Sequence, residues 1–298
     1  MGITIEPVTP TFVAEVGDMD LAAPLAGDVL EEIKEALWHY AVLVFPDQAL
    51  TPDQHVAFAQ HFGPLETDTA QGRKVSQARL GDSFADVSNL DHENKVWAEG
   101  SRQREFQLAN RLWHTDSSFK RIPSLCSLLY ARSVVPIGGH TEFADARAAY
   151  DGLEPEMQAT LAGRVVEHSI FNSRKRLGFS DFNEEDFQRL PPVPQALVRT
   201  VPQSGRKALY LASHAGRIFD MPEEEGSTLI ETLVEQTTRR QHVHTHRWRL
   251  HDLVMWDNRC TMHRGTPFDD LRYRRDVQRV TIRDVANSCE QEGLRVGE

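Results

Sequence analysis

Residues 252–265, DLVMWDNRCTMHRG, read as two short strands, DLVMWD (252–257) and CTMHRG (260–265), with turn residues between them. Short strands of this kind recur at 112–119 (LWHTDSSF), 127–135 (SLLYARSVV), 140–145 (HTEFAD), 163–170 (GRVVEHSI), 207–212 (KALYLA), 242–248 (HVHTHRW) and 275–284 (RDVQRVTIRD). So many short strands separated by turn residues favour a double-sheet jelly roll over a parallel doubly wound fold. The expected class is mainly β with flanking helices, arranged as a jelly roll.

Helices frame these strands. GDVLEEIKEALWHYA (27–41) carries Leu30, Ile33, Leu37 and Tyr40 at helical spacing and precedes a short buried strand, AVLVFP. TPDQHVAFAQHFG (51–63) opens with Thr51 as N-cap, Pro52 in the first turn and Gln54 closing a capping box, and Gly63 stops it. Two further helices are expected at 146–153 and 223–238. Residues 65–108 are polar and irregular, with one strand at ADVSNL (85–90), as a mobile active-site segment would be. That stretch and 173–195 read as insertions on one scaffold, so 1–298 is taken as a single domain with no internal repeat.

The net charge of −11 disfavours nucleic acid as a partner, because an acidic surface repels phosphate. The cysteines, Cys126, Cys260 and Cys289, are odd in number and share no C-x-x-C spacing, so no disulfide framework is expected. No apolar run is long enough to span a bilayer, and the N-terminus carries neither a basic start nor an apolar core of a signal peptide. The expected location is the cytoplasm.

His114 and Asp116, at i and i+2, share one face if 112–119 is a strand. With His263 from a separate strand they would make a two-histidine, one-carboxylate triad, which leaves positions open on an octahedral Fe(II). Taken alone, H-x-D is more often an imidazole bonded to a neighbouring acid. On the last strand Arg275, Val277, Arg279 and Thr281 share a face, and two inward arginines would require anionic partners. A solvated edge strand reads equally well from pattern alone. Thr141, after the Gly138–Gly139 turn, could donate to a carboxylate or simply be a strand former. His242, His244 and His246 alternate as zinc ligands might, although three ligands so close on one strand would need an unusual backbone to converge.

The stretches VLVFPDQALTPDQHVAFAQHFGPLE, NRLWHTDSSF, VVPIGGHTEFADARAAYDGL, NSRKRLG, PPVPQALVRT, SGRKALYL and HRWRLHDLVMWDNRCTMHRG together span almost the whole chain. In these the sequence resembles the taurine dioxygenase and 2,4-dichlorophenoxyacetate dioxygenase family, which depends on Fe(II) and 2-oxoglutarate, and within it the aryloxyalkanoate branch. The resemblance implies a double-stranded β-helix, a cupin-like jelly roll, with iron ligands at His114, Asp116 and His263. It implies a 2-oxoglutarate site at Thr141 and Arg275, with Asn110 lining it, and a substrate carboxylate at Arg279, with Lys74 and Lys95 of the mobile segment facing it. Ser117, beside Asp116, is a plausible substrate neighbour. The implied reaction hydroxylates the carbon next to the ether oxygen of an aryloxyalkanoate, using dioxygen as second cosubstrate. It releases a phenol and a 2-oxo acid, with succinate and carbon dioxide. The rivals are a sulfonate or alkyl sulfate dioxygenase of the same family, and a non-redox metal hydrolase on the same triad. A homo-oligomer is expected from the resemblance alone.

Overall fold

The computed structural model describes residues 2–67, 79–179 and 182–295. A seven-stranded sheet runs in the order β1 (Thr4–Pro7), β2 (Val13–Gly17), β3 (Val42–Phe45), β13 (Leu253–Asp257), β5 (Ser124–Ser133), β15 (Asp276–Arg283) and β4 (Ala85–Asp86). Three smaller sheets accompany it. β12 (Val243–His246), β6 (Thr141–Asp145) and β14 (Thr261–Gly265) form one. A second holds β11 (Ala215–Ile218), β7 (Val165–His168) and β8 (Val193–Ala196), and β9 (Val198–Thr200) pairs with β10 (Lys207–Leu209) as a ribbon. Among the described residues every strand pairing is antiparallel except β2 on β3. This is the mainly β jelly roll expected from the short-strand pattern.

The large sheet is covered on both faces at its centre, which is why β3 and Leu253–Trp256 of β13 are continuously apolar rather than alternating. On β13, Val254 and Trp256 point into a core shared with Phe143, Met262 and Val166 of the smaller sheets. Leu253 and Met255 point the other way, into a second core with Ile33, Leu37 and Phe58. Those three belong to α1 (Gly27–Tyr40) and α2 (Pro52–Gln60), which cover the outer face. α1 ends where Ala41 turns left-handed (φ 68°) and returns its N–H to Leu37 O. α2 begins with the expected capping box between Thr51 and Gln54.

The other helices are α3 (Arg102–Gln107), α4 (Ala146–Asp151), α5 (Pro155–Leu161), α6 (Ile170–Lys175), α7 (Glu184–Arg189), α8 (Glu223–Thr237) and α9 (Ser288–Gln291). α3 lies in the stretch read as irregular, α6 straddles the start of the second insertion and α7 lies within it; all are six residues long, too short to show a helical period. Residues 112–119 are not a strand. His114 makes one isolated bridge, and the chain then turns. Side chains capture that backbone instead: Asn258 Oδ1 accepts from Asp116 N–H at 3.2 Å, Ser124 Oγ donates to Asp116 O at 2.6 Å, and Ser117 takes a φ of 52°. Among the described residues no helix is long and apolar enough to cross a membrane.

Candidate metal and carboxylate site

The two imidazoles are brought together by backbone. His114 N–H donates to His263 O at 3.0 Å, and His263 N–H donates to His114 O at 2.7 Å. Residues directly opposite in an antiparallel bridge send their side chains to the same side. The rings accordingly lie 4.2 Å apart, centroid to centroid. β14 fixes His263 from its other edge, opposite Phe143 on β6. Asp116 returns to the same side two residues on. Its Oδ1 is 3.9 Å from His114 Nε2 and 3.7 Å from His263 Nε2. Among the described residues this is the one group of three or more His, Cys, Asp or Glu side chains whose ligand atoms converge, all within 4.8 Å of each other.

The donor set suits a divalent metal. His114 Nδ1 is 2.8 Å from the Leu112 carbonyl, which accepts only from N–H, so Nε2 keeps its lone pair. His263 Nδ1 is buried without a partner, and the ring is held by packing on Trp256 and Phe143. Burial, above all, disfavours protonation of both imidazoles. At His114 the Asp116 charge and the Leu112 bond oppose that effect, and the Arg279 and Arg174 charges add to it. His263 is driven well below the ordinary histidine range by burial and by His114, against the pull of Asp116. Burial would also push the Asp116 carboxyl up; Arg279, the two imidazoles and a 2.7 Å bond from Ser127 Oγ outweigh it and hold the group below its usual range. Two neutral imidazoles and one carboxylate therefore face a common point.

Asn258 organises this set. Its Oδ1 accepts from Trp256 Nε1 at 2.9 Å as well as from Asp116 N–H, and its Nδ2 donates to Ser127 Oγ at 2.9 Å. Ser127 in turn donates to Asp116 Oδ2. One buried side chain thus sets both the backbone and the carboxylate of Asp116.

A cavity of about 100 Å³ opens beside the triad, bordered by His114, His263, Asn110, Thr141, Arg275 and Arg279, and also by Arg104 and Arg111. The four arginines differ in what answers their charge. Arg104 pairs with Asp270 through Nε (2.9 Å) and Nη2 (3.0 Å), and Arg111 approaches the same carboxylate at 3.7 Å. Arg279 Nη1 donates to Asp116 Oδ1. Among the described residues Arg275 meets, through its guanidinium, only neutral carbonyls, Gly139 O at 3.1 Å and Val87 O at 3.4 Å. It is 8% exposed, and burial brings its guanidinium down to about 10, still charged at neutral pH. Gly139 beside it takes a left-handed backbone (φ 63°), and a Cβ there would clash with Val135 Cγ2 at 2.7 Å. Thr141 Oγ1 accepts from Trp248 Nε1 at 3.0 Å, which leaves its hydroxyl hydrogen to donate into the cavity.

Asn110 donates to Gln107 Oε1 at 2.9 Å on the cavity wall. Ser117 turns away and donates to Glu66 Oε1 at 3.0 Å. Lys95 projects outward, 73% exposed at the side chain, and pairs with Glu93 at 2.6 Å. Lys74 lies outside the described residues. The histidine run does not converge: His242 belongs to a 3-10 turn, and His246 Nε2 sits 3.0 Å from Asp252. Sequence reading passed over Asn258 and Trp248, although both stand within the quoted stretches, because a single Asn or Trp carries no spacing signal.

A family model described as "Taurine catabolism dioxygenase TauD, TfdA family" matches residues 4–281. The chain is 42% identical to the alpha-ketoglutarate-dependent 2,4-dichlorophenoxyacetate dioxygenase of Cupriavidus pinatubonensis, over 96% of this chain and 99% of that protein. It is 32% identical to the (S)-phenoxypropionate/alpha-ketoglutarate-dioxygenase of Sphingobium herbicidovorans, over 90% and 93%. The crystal structure of AAD-2 in complex with Mn(II) and N-oxalylglycine superposes with a TM-score of 0.89 at 45% identity, covering 97% of this chain and 99% of that one.

Proposed function

Because the chain belongs to the taurine catabolism dioxygenase TauD, TfdA family, we propose that it is an Fe(II)- and 2-oxoglutarate-dependent dioxygenase acting on aryloxyalkanoates such as 2,4-dichlorophenoxyacetate. The observation that supports the 2-oxoglutarate half is Arg275: a buried, charged guanidinium at the cavity wall with no carboxylate partner among the described residues. A dicarboxylate supplies the missing partner, in the two-pronged geometry that Arg favours. Thr141 donates to the same far carboxylate, and Asn110 closes that end of the cavity. His114, Asp116 and His263 would hold iron(II), which together with 2-oxoglutarate supplies the oxidising power for inserting oxygen into a C–H bond.

The chain's own residues do the rest. The Leu112 carbonyl fixes the tautomer of His114, and Asn258 and Ser127 fix the carboxylate of Asp116. Arg279, beside Asp116, receives the substrate's anionic group. Hydroxylation of the carbon next to the ether oxygen gives a hemiacetal. This collapses so that an aryloxyacetate, 2-oxoglutarate and dioxygen become a phenol, glyoxylate, succinate and carbon dioxide. The substrate class is supported by the two curated relatives named for 2,4-dichlorophenoxyacetate and phenoxypropionate.

A panel of aryloxyacetates, 2-aryloxypropionates, alkanesulfonates and alkyl sulfates, each with iron(II) and 2-oxoglutarate, tests this. Phenol release from the aryloxy compounds, with a kcat/KM at least tenfold above that for any sulfonate or sulfate, is the expected result. A preference for a sulfonate or sulfate would transfer the chain to that branch.

A further inference from the structure

In the run Ser173-Arg174-Lys175-Arg176 on and after α6, Lys175 and Arg176 face solvent, but Arg174 is 8% exposed. Its guanidinium lies over the Phe106 ring of α3, 3.8 Å from the centroid. Its one hydrogen bond among the described residues is to a neutral group, Ser173 Oγ at 3.2 Å, and its Nε is buried without a partner. No carboxylate of the described residues pairs with it. Burial brings it down to about 10, so it remains charged at neutral pH. An unanswered buried cation is unfavourable in the empty protein, and such groups are retained where a ligand completes them.

Its surroundings say which ligand. Phe171, three residues earlier, shares its face of α6 and packs on Phe182 and Phe187 at 4.7 and 4.5 Å. α6 is fastened to His214: Ser169 N–H and Asn172 Nδ2 both donate to His214 O at 2.9 Å. The His214 ring stands 6.3 Å from that of His114. The Arg174 charge reaches both rings, where it disfavours the protonated form. A buried cation stacked on Phe106, on a helix whose Phe171 packs against two further phenylalanines and which is tied to His214, 6.3 Å from the ring of the metal-ligand candidate His114, matches an aromatic carboxylate. In an aryloxyalkanoate the oxidised carbon bears the carboxylate directly, so the anion must lie close to the metal.

We propose that Arg174, on α6, is a second receptor for the substrate's carboxylate, acting together with Arg279 of β15; this rests on the proposed substrate class. Arg279 already has the Asp116 carboxylate beside it, whereas no acid among the described residues answers Arg174.

The test compares wild type with Arg174→Gln and Arg174→Lys, each loaded with Mn(II) and N-oxalylglycine and titrated calorimetrically with 2,4-dichlorophenoxyacetate. R174Q should bind it about tenfold or more weakly, with R174K in between, because a point charge replaces the fork. Affinity for N-oxalylglycine and the melting temperature should stay at wild-type values, since no internal acid is orphaned. Equal affinity of wild type and R174Q for the aryloxyacetate overturns the inference. So does a parallel loss of N-oxalylglycine affinity and of melting temperature, which would mark a packing role under Phe106. If wild type itself neither binds nor turns over aryloxyalkanoates, the substrate class fails, and the same titration with an alkanesulfonate decides Arg174 separately. Weaker sulfonate binding by R174Q upholds the anion receptor, and unchanged binding removes it.

Discussion

Replacing Arg275 with methionine separates recognition of a dicarboxylate from stability of the fold. Burial brings the Arg275 guanidinium from 12.5 to about 10. That corresponds to about 3 kcal/mol of unfavourable charge burial in the ligand-free protein. Its bonds go to two neutral carbonyls, so no internal acid loses a partner when the charge is removed. Methionine keeps most of the apolar stem beside Gly139. Ligand-free R275M should therefore melt within a few degrees of wild type, or above it. Binding behaves oppositely. Two charge-assisted hydrogen bonds at about 1.5–3 kcal/mol each weaken a dicarboxylate by roughly 10²- to 10⁴-fold. Calorimetric titration of N-oxalylglycine into the Mn(II)-loaded protein measures this directly, with a thermal melt of the free variant beside it. An affinity within threefold of wild type would refute the assignment of Arg275. A ligand-free melting temperature lowered by ten degrees or more would show instead that the arginine holds the fold.

Three further expectations follow from the same geometry. Asn258→Leu removes the side chain that sets both the backbone and, through Ser127, the carboxylate of Asp116; metal affinity should fall about 10- to 100-fold, read by competition with a chelating dye, and an unchanged affinity would contradict the organising role. Thr141→Val keeps the shape but strips the hydroxyl, so the KM for 2-oxoglutarate should rise about 10- to 150-fold for one lost bond to a charged group, with the aryloxyacetate KM left in place; a rise confined to the latter would place Thr141 at the wrong carboxylate. His168 is fully buried, has no partner at either ring nitrogen and is brought down to about 3 by burial. It stays neutral in the folded state while the unfolded chain takes up a proton below about 6.5. Its contribution is intact above that pH and erodes as pH falls towards 3, by about 1.4 kcal/mol per pH unit. His168→Phe, stacked on Tyr210 in the same way, should flatten the acid side of the stability profile between pH 6.5 and 4 without loss at pH 8.

Much of this was legible in the sequence because it follows from periodicity. The apolar strand at 253–257 and the capped helix at Pro52 occur as expected, since double-sided burial and a capping box leave local signatures. The triad residues converge although the strand assumed for His114 and Asp116 is not there. A single bridge to His263 and an asparagine anchor bring them together, and both act over about 150 residues of separation, beyond any local pattern. The basic strand was read as a face carrying Arg275 and Arg279, and both reach the cavity, although Arg275 stands just outside β15. What separates the two arginines is which acid each meets, and that is a tertiary fact. Lys95 shows the same limit in reverse: a basic residue in the right segment points to water and to Glu93. Arg174, one of three consecutive basic residues, could not be told from its neighbours without burial.

The most direct test of the central claim is an anaerobic absorption titration of wild-type protein with iron(II) and then 2-oxoglutarate. The expected result is a weak visible charge-transfer band that saturates at one 2-oxoglutarate per chain and is absent from His263→Ala. On admitting air with 2,4-dichlorophenoxyacetate, the phenol and succinate should form in equal amounts. A protein that binds iron(II) but shows no such band, and that processes substrate equally well with zinc and without dioxygen, would contradict the account and leave a metal hydrolase in its place.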